Sequence, residues 1–245
     1  SVWSYNVETR KTQKIDVPLD ADGYIPRVRY TQDPTKLAVM TFNRHQNDFK
    51  MYLADPASGV AKMVIEEKND QYVSEGNMDD IQFYPDGFTF VSEKDGFRHL
   101  YYYNMSGALQ RQITKGNYDV TRIYGYDSKT KTAYVQTAYL GEGATMPAEL
   151  TRGIYKVDAA GKMIPLFNGG KDGKGCRGTH SAHFSKGFVY MQHFYSDAET
   201  PTQVTLEFVN GLKLVKVMQD NKDFIARINE LNYSKREFFQ FTTPN

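Results

Sequence analysis

The chain has 245 residues, a length that suits one large all-β domain or two smaller ones. Its 30 basic and 29 acidic side chains leave a formal net charge of +1 with no block of like charge, so the composition indicates neither a nucleic acid nor an anionic membrane as a partner. No apolar run reaches the roughly 18 residues that a membrane-spanning helix needs, and the single cysteine excludes an internal disulfide.

An aromatic-rich segment with the character of a β-strand recurs five times along the chain. Its copies start 49, 49, 54 and 50 residues apart and cover residues 2–7, 51–55, 100–104, 154–158 and 204–208. Four copies are followed at a nearly constant distance by a glycine, namely Gly59, Gly107, Gly161 and Gly211. A period of about 40–50 residues with several short strands in each repeat is typical of a β-propeller.

A second recurring segment precedes these strands and has turn residues between two apolar runs. It covers residues 30–39, 83–91, 126–135 and 184–190, and Pro85-Asp86-Gly87 is one of its turns, so each copy predicts a hairpin. Four full blades are expected at about 25–65, 80–114, 120–167 and 180–218, and residues 1–17 match only the outer half of a blade. We predict an all-β fold, a propeller fragment of about four and a half four-stranded blades.

The repeat ends near residue 220, so we assign residues 1–220 to the partial propeller and 221–245 to a lead-in segment for another domain. Residues 221–231 have apolar side chains at helical spacing, with Asn221 in the position of a cap. Residues 237–243 then predict a new strand. Because the first blade is only half present and leaves an open edge, we expect the chain to be a piece of a longer protein.

Six segments carry a further pattern, in this order: 24–30 (YIPRVRY), 42–47 (FNRHQN), 92–101 (SEKDGFRHLY), 113–120 (ITKGNYDV), 178–185 (GTHSAHFS) and 236–243 (REFFQFTT). Together they resemble the later blades of the N-terminal propeller of the dipeptidyl peptidase IV family of serine exopeptidases. The resemblance covers nearly the whole chain, although no single segment is diagnostic.

The resemblance implies a propeller that caps an α/β-hydrolase domain, which would follow residues 221–245. Members of the family remove N-terminal dipeptides, typically after proline or alanine, with a serine, an aspartate and a histidine of the hydrolase. Their propeller narrows access to short or unfolded peptides, and two of its glutamates hold the peptide's N-terminal ammonium. The expected partners are therefore peptide substrates, the hydrolase domain and a second copy in a homodimer, in a periplasmic or extracellular location.

The chain has no Gly-x-Ser-x-Gly nucleophile elbow, so we expect no catalytic residue in it and no cofactor. The predicted function is to gate and orient peptides for the hydrolase. The alternative is a stand-alone propeller that acts as a binding or scaffold module. The ending at 237–243 favours the first hypothesis, because in the family this segment leads into the hydrolase.

Two stretches are candidates for contact with a substrate. Glu66 and Glu67 form the only adjacent glutamate pair, but the family's pair comes from an earlier blade, and a solvated charge cluster between blades is the simpler interpretation. In the family, the loop corresponding to residues 71–77 reaches the substrate with aromatic and arginine side chains. This chain departs from that pattern at Glu75, Gly76 and Asn77, so an ordinary polar loop is the simpler interpretation, and Glu75 and Asn77 are the candidates for a substrate-facing loop.

Three further patterns have structural interpretations. His180, His183 and His193 with Cys176 suggest zinc, but positions three apart on a strand point to opposite faces, so no metal is predicted. Residues 173–178 match Gly-x-Gly-x-x-Gly without the strand before and helix after that a dinucleotide site requires. His99 is interpreted as a structural histidine at a hairpin.

Overall fold

The computed structural model describes residues 1–138, 151–167, 178–231, 233–234, 236–239 and 241–243. The chain divides into two compact units, Ser1–Asn117 and Tyr118–Asn245. The described residues form four four-stranded antiparallel sheets and one two-stranded sheet. In each sheet, strands that follow one another in sequence lie side by side.

Unit 1 contains a half blade and two full blades. Its two-stranded sheet pairs β1 (Val2–Asn6) with β2 (Lys11–Ile15). The first full sheet consists of β3 (Tyr24–Tyr30), β4 (Leu37–Phe42), β5 (Asp48–Ala54) and β6 (Ala61–Lys68). A short helix, α1 (Gly76–Asp79), precedes the second full sheet, which consists of β7 (Gln82–Tyr84), β8 (Gly87–Ser92), β9 (His99–Asn104) and β10 (Leu109–Gln112).

Unit 2 contains two full blades and a helix. One sheet consists of β11 (Val120–Asp127), β12 (Thr132–Thr137), β13 (Gly153–Val157) and β14 (Met163–Phe167). The other consists of β15 (Thr179–Phe184), β16 (Tyr190–Ser196), β17 (Gln203–Phe208) and β18 (Lys213–Gln219). Helix α2 (Lys222–Asn229) follows β18.

These sheets confirm the predicted β-propeller fragment of four and a half blades. The recurring aromatic segment is the third strand of each blade, as in β5, β9 and β13, where nearly every side chain is buried. A third strand has a neighbour on each side and a sheet packed against it, so both of its faces select apolar residues. This is why these strands lack the apolar and polar alternation of a sheet with one wet face.

Aromatic stacking holds the two full sheets of unit 1 together. Phe49 of β5 stacks on Phe90 of β8 with ring centroids 5.6 Å apart and planes 8° apart. Phe88 and Tyr103 stack within the second sheet at 5.7 Å. Burial of one such ring contributes about 1.5–3 kcal/mol. In unit 2, Tyr134 and Phe188 stack at 4.3 Å within a comparable core.

The recurring glycines form the turns between third and fourth strands. Gly59 and Gly107 have φ angles of 79° and 87°, a region that side chains with a Cβ atom rarely adopt. A Cβ atom on Gly59 would lie 2.1 Å from the carbonyl oxygen of Lys14, and one on Gly107 would lie 2.3 Å from that of Val64. In unit 1, each turn therefore touches the backbone of the last strand of the preceding sheet.

The C-terminal part of the chain differs in detail from the prediction. Helix α2 forms as expected, but Asn221 has φ 55° and its side chain donates to the carbonyl of Thr202 instead of capping the helix. At the start of α2, Asp220 Oδ1 instead accepts a hydrogen bond from the Lys222 amide at 3.2 Å. No strand forms in described residues 236–239 and 241–243, because a strand needs a paired neighbour and this segment has none there.

Candidate functional site

Two connections meet at one end of the first full sheet in unit 1. The loop 69–81 leaves β6 and enters β7, and the turn 43–47 joins β4 to β5. The Val73 amide donates to the Gln46 carbonyl at 2.8 Å, and the Asn69 amide donates to the Asn47 carbonyl at 3.0 Å. These backbone contacts fix the loop against the turn.

A chain of polar side chains runs through this contact. Gln46 Nε2 donates to the Tyr24 hydroxyl at 2.5 Å and to Glu75 Oε1 at 2.7 Å. Gln46 has φ 56°, which is uncommon for a residue other than glycine and is often found near functional sites. Glu75 is exposed and immediately precedes α1. The loop thus presents a carboxylate that is held by a neighbouring turn.

Asn77 lies on α1 and is buried, with 2% of its surface exposed. Its Oδ1 accepts a hydrogen bond from Arg98 Nε at 3.2 Å. The same arginine pairs with Asp80 Oδ2 at 2.5 Å, and it belongs to the turn 93–98 between β8 and β9. Asn77 therefore faces Arg98 rather than solvent, and it joins the loop 69–81 to the second full sheet.

The other side of α1 is held by β3. Arg29 donates from one guanidinium nitrogen to the carbonyls of Met78, Asp79 and Ile81 at 3.1, 3.2 and 2.9 Å. The last carbonyls of a helix lack partners within the helix, and a cation there also interacts favourably with the helix dipole. Arg27 adds an ion pair with Asp79 at 3.2 Å. We call the turn 43–47, the loop 69–81 and the turn 93–98 the loop end of unit 1.

Comparisons with known proteins decide the family. The family model described as the dipeptidyl peptidase IV N-terminal region matches residues 1–202. The chain belongs to the dipeptidyl peptidase IV family.

Relatives and solved structures agree with this family. Dipeptidyl peptidase 4 of Arthroderma otae is 26% identical over 85% of the chain, and a probable dipeptidyl peptidase 4 of Aspergillus flavus is 24% identical over 98%. The crystal structure of Porphyromonas gingivalis dipeptidyl peptidase 4 matches 96% of the chain with a TM-score of 0.85 and 39% identity. The chain spans only 26%, 31% and 31% of the length of these three proteins.

In this dipeptidyl peptidase IV propeller segment, the adjacent glutamates point in different directions. Glu66 is exposed and pairs with Lys68 at 2.8 Å. Glu67 is half-buried, and this burial raises its pKa. The effect outweighs hydrogen bonds from the Ser92 side chain and the Glu93 backbone, which lower the pKa. Neighbouring residues of a strand alternate between faces, so the two carboxylates cannot hold one ammonium together.

Two histidines of the rejected zinc set lie together in unit 2. His180 of β15 and His193 of β16 are buried, and His180 Nδ1 lies 2.9 Å from His193 Nε2. Phe167 stacks on His193 at 3.8 Å, and burial lowers the pKa of His193 to about 3, helped by the nearby His180. His183 is exposed on the opposite face of β15, as strand alternation predicts.

Three candidate patterns remain: the possible zinc ligands, the glycine-rich pattern and His99. No group of three or more His, Cys, Asp or Glu side chains that could hold a metal occurs among the described residues, and Cys176 lies outside them. Residues 173–177 of the glycine pattern also lie outside them. His99 is fully buried and bonds Thr114 Oγ1 at 3.0 Å and the Gly116 carbonyl at 2.9 Å, an arrangement typical of a structural histidine.

No described helix has the length and apolar character needed to cross a membrane.

The loop end of unit 1 is the best candidate functional site in the described residues. It combines an exposed carboxylate, a residue with an uncommon backbone conformation and connections from two sheets. Sequence reasoning named Glu75 and Asn77 as candidates but not Gln46 and Arg98, whose contacts depend on the turns being brought together by the fold.

Proposed function

We propose that this chain is the non-catalytic propeller portion of a dipeptidyl peptidase IV-like serine exopeptidase. It gates and orients peptides from which N-terminal dipeptides are removed after proline or alanine. The match of the family model over residues 1–202 carries this proposal. Residues 221–245 then lead into the α/β-hydrolase domain, and a homodimer in a periplasmic or extracellular location belongs to the same proposal.

The loop end of unit 1 is proposed to face the substrate. Glu75 supplies the exposed contact, and Asn77 contributes by fixing Arg98 and thereby the position of α1. Connections between strands are the usual place for binding residues, because a rigid sheet positions them. Contacts from two sheets hold this loop, so a bound peptide meets groups that are already in place and loses less free energy to ordering them.

The gating role follows from the same rigidity. A loop that is fixed by hydrogen bonds does not move aside to admit a folded protein, whereas an extended peptide can enter past it one residue at a time. The chemistry of peptide cleavage belongs to the hydrolase domain, so the propeller acts on binding and orientation. A change at the loop end should therefore alter KM more than kcat.

The first test is the parent gene together with the activity of the full-length protein. We expect a Gly-x-Ser-x-Gly sequence on a strand-to-helix turn after Asn245 and release of dipeptides from peptides with proline or alanine in second position. A stop codon soon after Asn245, or no dipeptide release, would contradict the proposal and favour a stand-alone binding propeller.

The second test is Asn77→Leu in the full-length protein. Leucine keeps the volume of the side chain but removes the oxygen that accepts from Arg98 Nε. We expect a rise in KM of several-fold for peptides and little change in kcat. Asn210→Leu, at an exposed position of unit 2, is the matched control. Equal kinetics for both variants would contradict a role of the loop end in binding.

A further inference from the structure

The charges at the loop end of unit 1 are unevenly paired. Arg27 pairs with Asp79 and Arg98 with Asp80, and Arg29 is engaged by three carbonyls. The carboxylate of Glu75, in contrast, forms no ion pair within 4.0 Å with any residue that the structure describes, and its one side-chain contact is the amide of Gln46.

Glu75 is also held in one place. Gln46 is fixed on both sides of its backbone, since its amide donates to the Asn43 carbonyl at 3.1 Å and its carbonyl accepts from Val73 at 2.8 Å. Its side chain bridges the Tyr24 hydroxyl and Glu75 Oε1. The carboxylate therefore does not have to be ordered when a ligand arrives, which removes part of the entropic cost of forming a contact.

The segment that carries Glu75 is braced as well. Glu75 directly precedes α1, and α1 is fixed from β3 by Arg29 and from the second full sheet by Arg98. An unpaired anion on a fixed support keeps its position and its charge at the surface of the loop end.

We propose that Glu75 selects peptide substrates that carry a lysine or arginine side chain at the position that meets the loop end; this inference rests on the proposed function. Oε1 already accepts from Gln46, and Oε2 has no hydrogen-bond partner among the described residues, so a cationic side chain can add a charge-assisted hydrogen bond there. Exposed ion pairs of this kind change affinity about two- to five-fold.

The test uses the full-length protein and a matched set of peptides. The peptides share a cleavable N-terminal dipeptide motif and carry Lys, Gln or Glu either at the first residue or at one of the positions after the dipeptide. At one position we expect kcat/KM to be about two- to five-fold higher for Lys than for Gln, through KM, and to fall towards equality as salt is raised. Glu75→Gln should abolish the preference, and Glu75→Lys should turn it towards Glu.

Asp70→Asn is the matched control, because it removes an exposed carboxylate from the same loop without touching the Gln46 contact. It should keep the preference for Lys. An unchanged ratio of Lys to Gln in both Glu75 variants would overturn this inference alone, as would an equal effect of Asp70→Asn, which would indicate a general field of the loop. No dipeptide release from any peptide would overturn the proposed function together with this inference. Thermal melting of each variant shows that the comparison is made between folded proteins.

Discussion

Acidification will destabilise unit 2 through the buried histidine pair. The rings of His180 and His193 lie edge to edge, with centroids 5.1 Å apart and planes 5° apart, and share one hydrogen bond between ring nitrogens, so one ring donates and the other accepts. Phe167 stacks on the face of the His193 ring, with centroids 3.8 Å apart. A further proton on either ring would place a positive charge in an apolar site, which burial disfavours.

The sign and size of the effect follow from the pKa values. The pKa of His193 falls from 6.5 to about 3 on folding, because burial disfavours its charged form. The unfolded chain therefore binds the proton first, and stability is complete above 6.5 and is lost as the pH falls towards about 3. Each pH unit below the unfolded value costs about 1.4 kcal/mol, so at about pH 5 the loss is about 2 kcal/mol.

The assay is urea unfolding at about pH 7.5 and about pH 5. The glutamine of His193→Gln can still donate to His180 Nδ1 but cannot gain a proton. Between about pH 7.5 and about pH 5, the free energy of unfolding of this variant should therefore fall by about 2 kcal/mol less than that of the unchanged protein. His183→Gln is the matched control, because His183 is exposed on the opposite face of β15.

The reasoning is refuted if His193→Gln and the unchanged protein show the same pH dependence of stability. An NMR titration gives a second check that does not depend on unfolding. A ring proton of His193 that titrates near 6.5 in the folded protein would show that burial does not hold the ring neutral.

Two further substitutions test the contacts of unit 1, and a third, in unit 2, serves as a control. Gly107→Ala should lower the free energy of unfolding by about 2–4 kcal/mol, because it combines a left-handed backbone with a clash at the Val64 carbonyl. Gly161→Ala has a similar φ of 86° but no atom within 4 Å of the added Cβ, so it should cost only about 1 kcal/mol, and equal losses would contradict the clash. Arg29→Met keeps an apolar stem but removes the donors to α1, so it should cost about 1–3 kcal/mol and speed amide exchange in the loop 69–81; unchanged exchange would show that α1 is held by other contacts.

The blades could be predicted from sequence because their signals are local. An aromatic third strand and a glycine that permits a positive φ lie within about ten residues of one another. Together they indicate where the strand and the turn lie and how long the repeat is. The limits of the sheets accordingly agree with the predicted blades to within a few residues. The prediction of a final strand at 237–243 was wrong for the described residues, because a strand depends on a paired neighbour that a local sequence pattern does not supply.

The site was harder to predict because its contacts join distant turns. The burial of Asn77 depends on Arg98, which lies 21 residues further along, and the position of Glu75 depends on Gln46, 29 residues earlier. The histidine pair depends on the register of β15 and β16, which places His193 opposite Ala182, two residues from His180 and on the same face of the sheet. Alternation along a strand separates His180 from His183 but says nothing about which residue of the next strand approaches it.

Strand β18 has an outer edge that no other strand in the described residues pairs with. All seven of its residues are exposed, and it lies at the end of its sheet with apolar side chains such as Leu214 and Val217. Two register shifts against β17 twist this edge, and Lys213 and Lys216 place positive charge along it. Strand addition by a second copy of β18 is therefore opposed by repulsion between like charges and by poor alignment, and neutralising the two lysines would remove the electrostatic part of this protection.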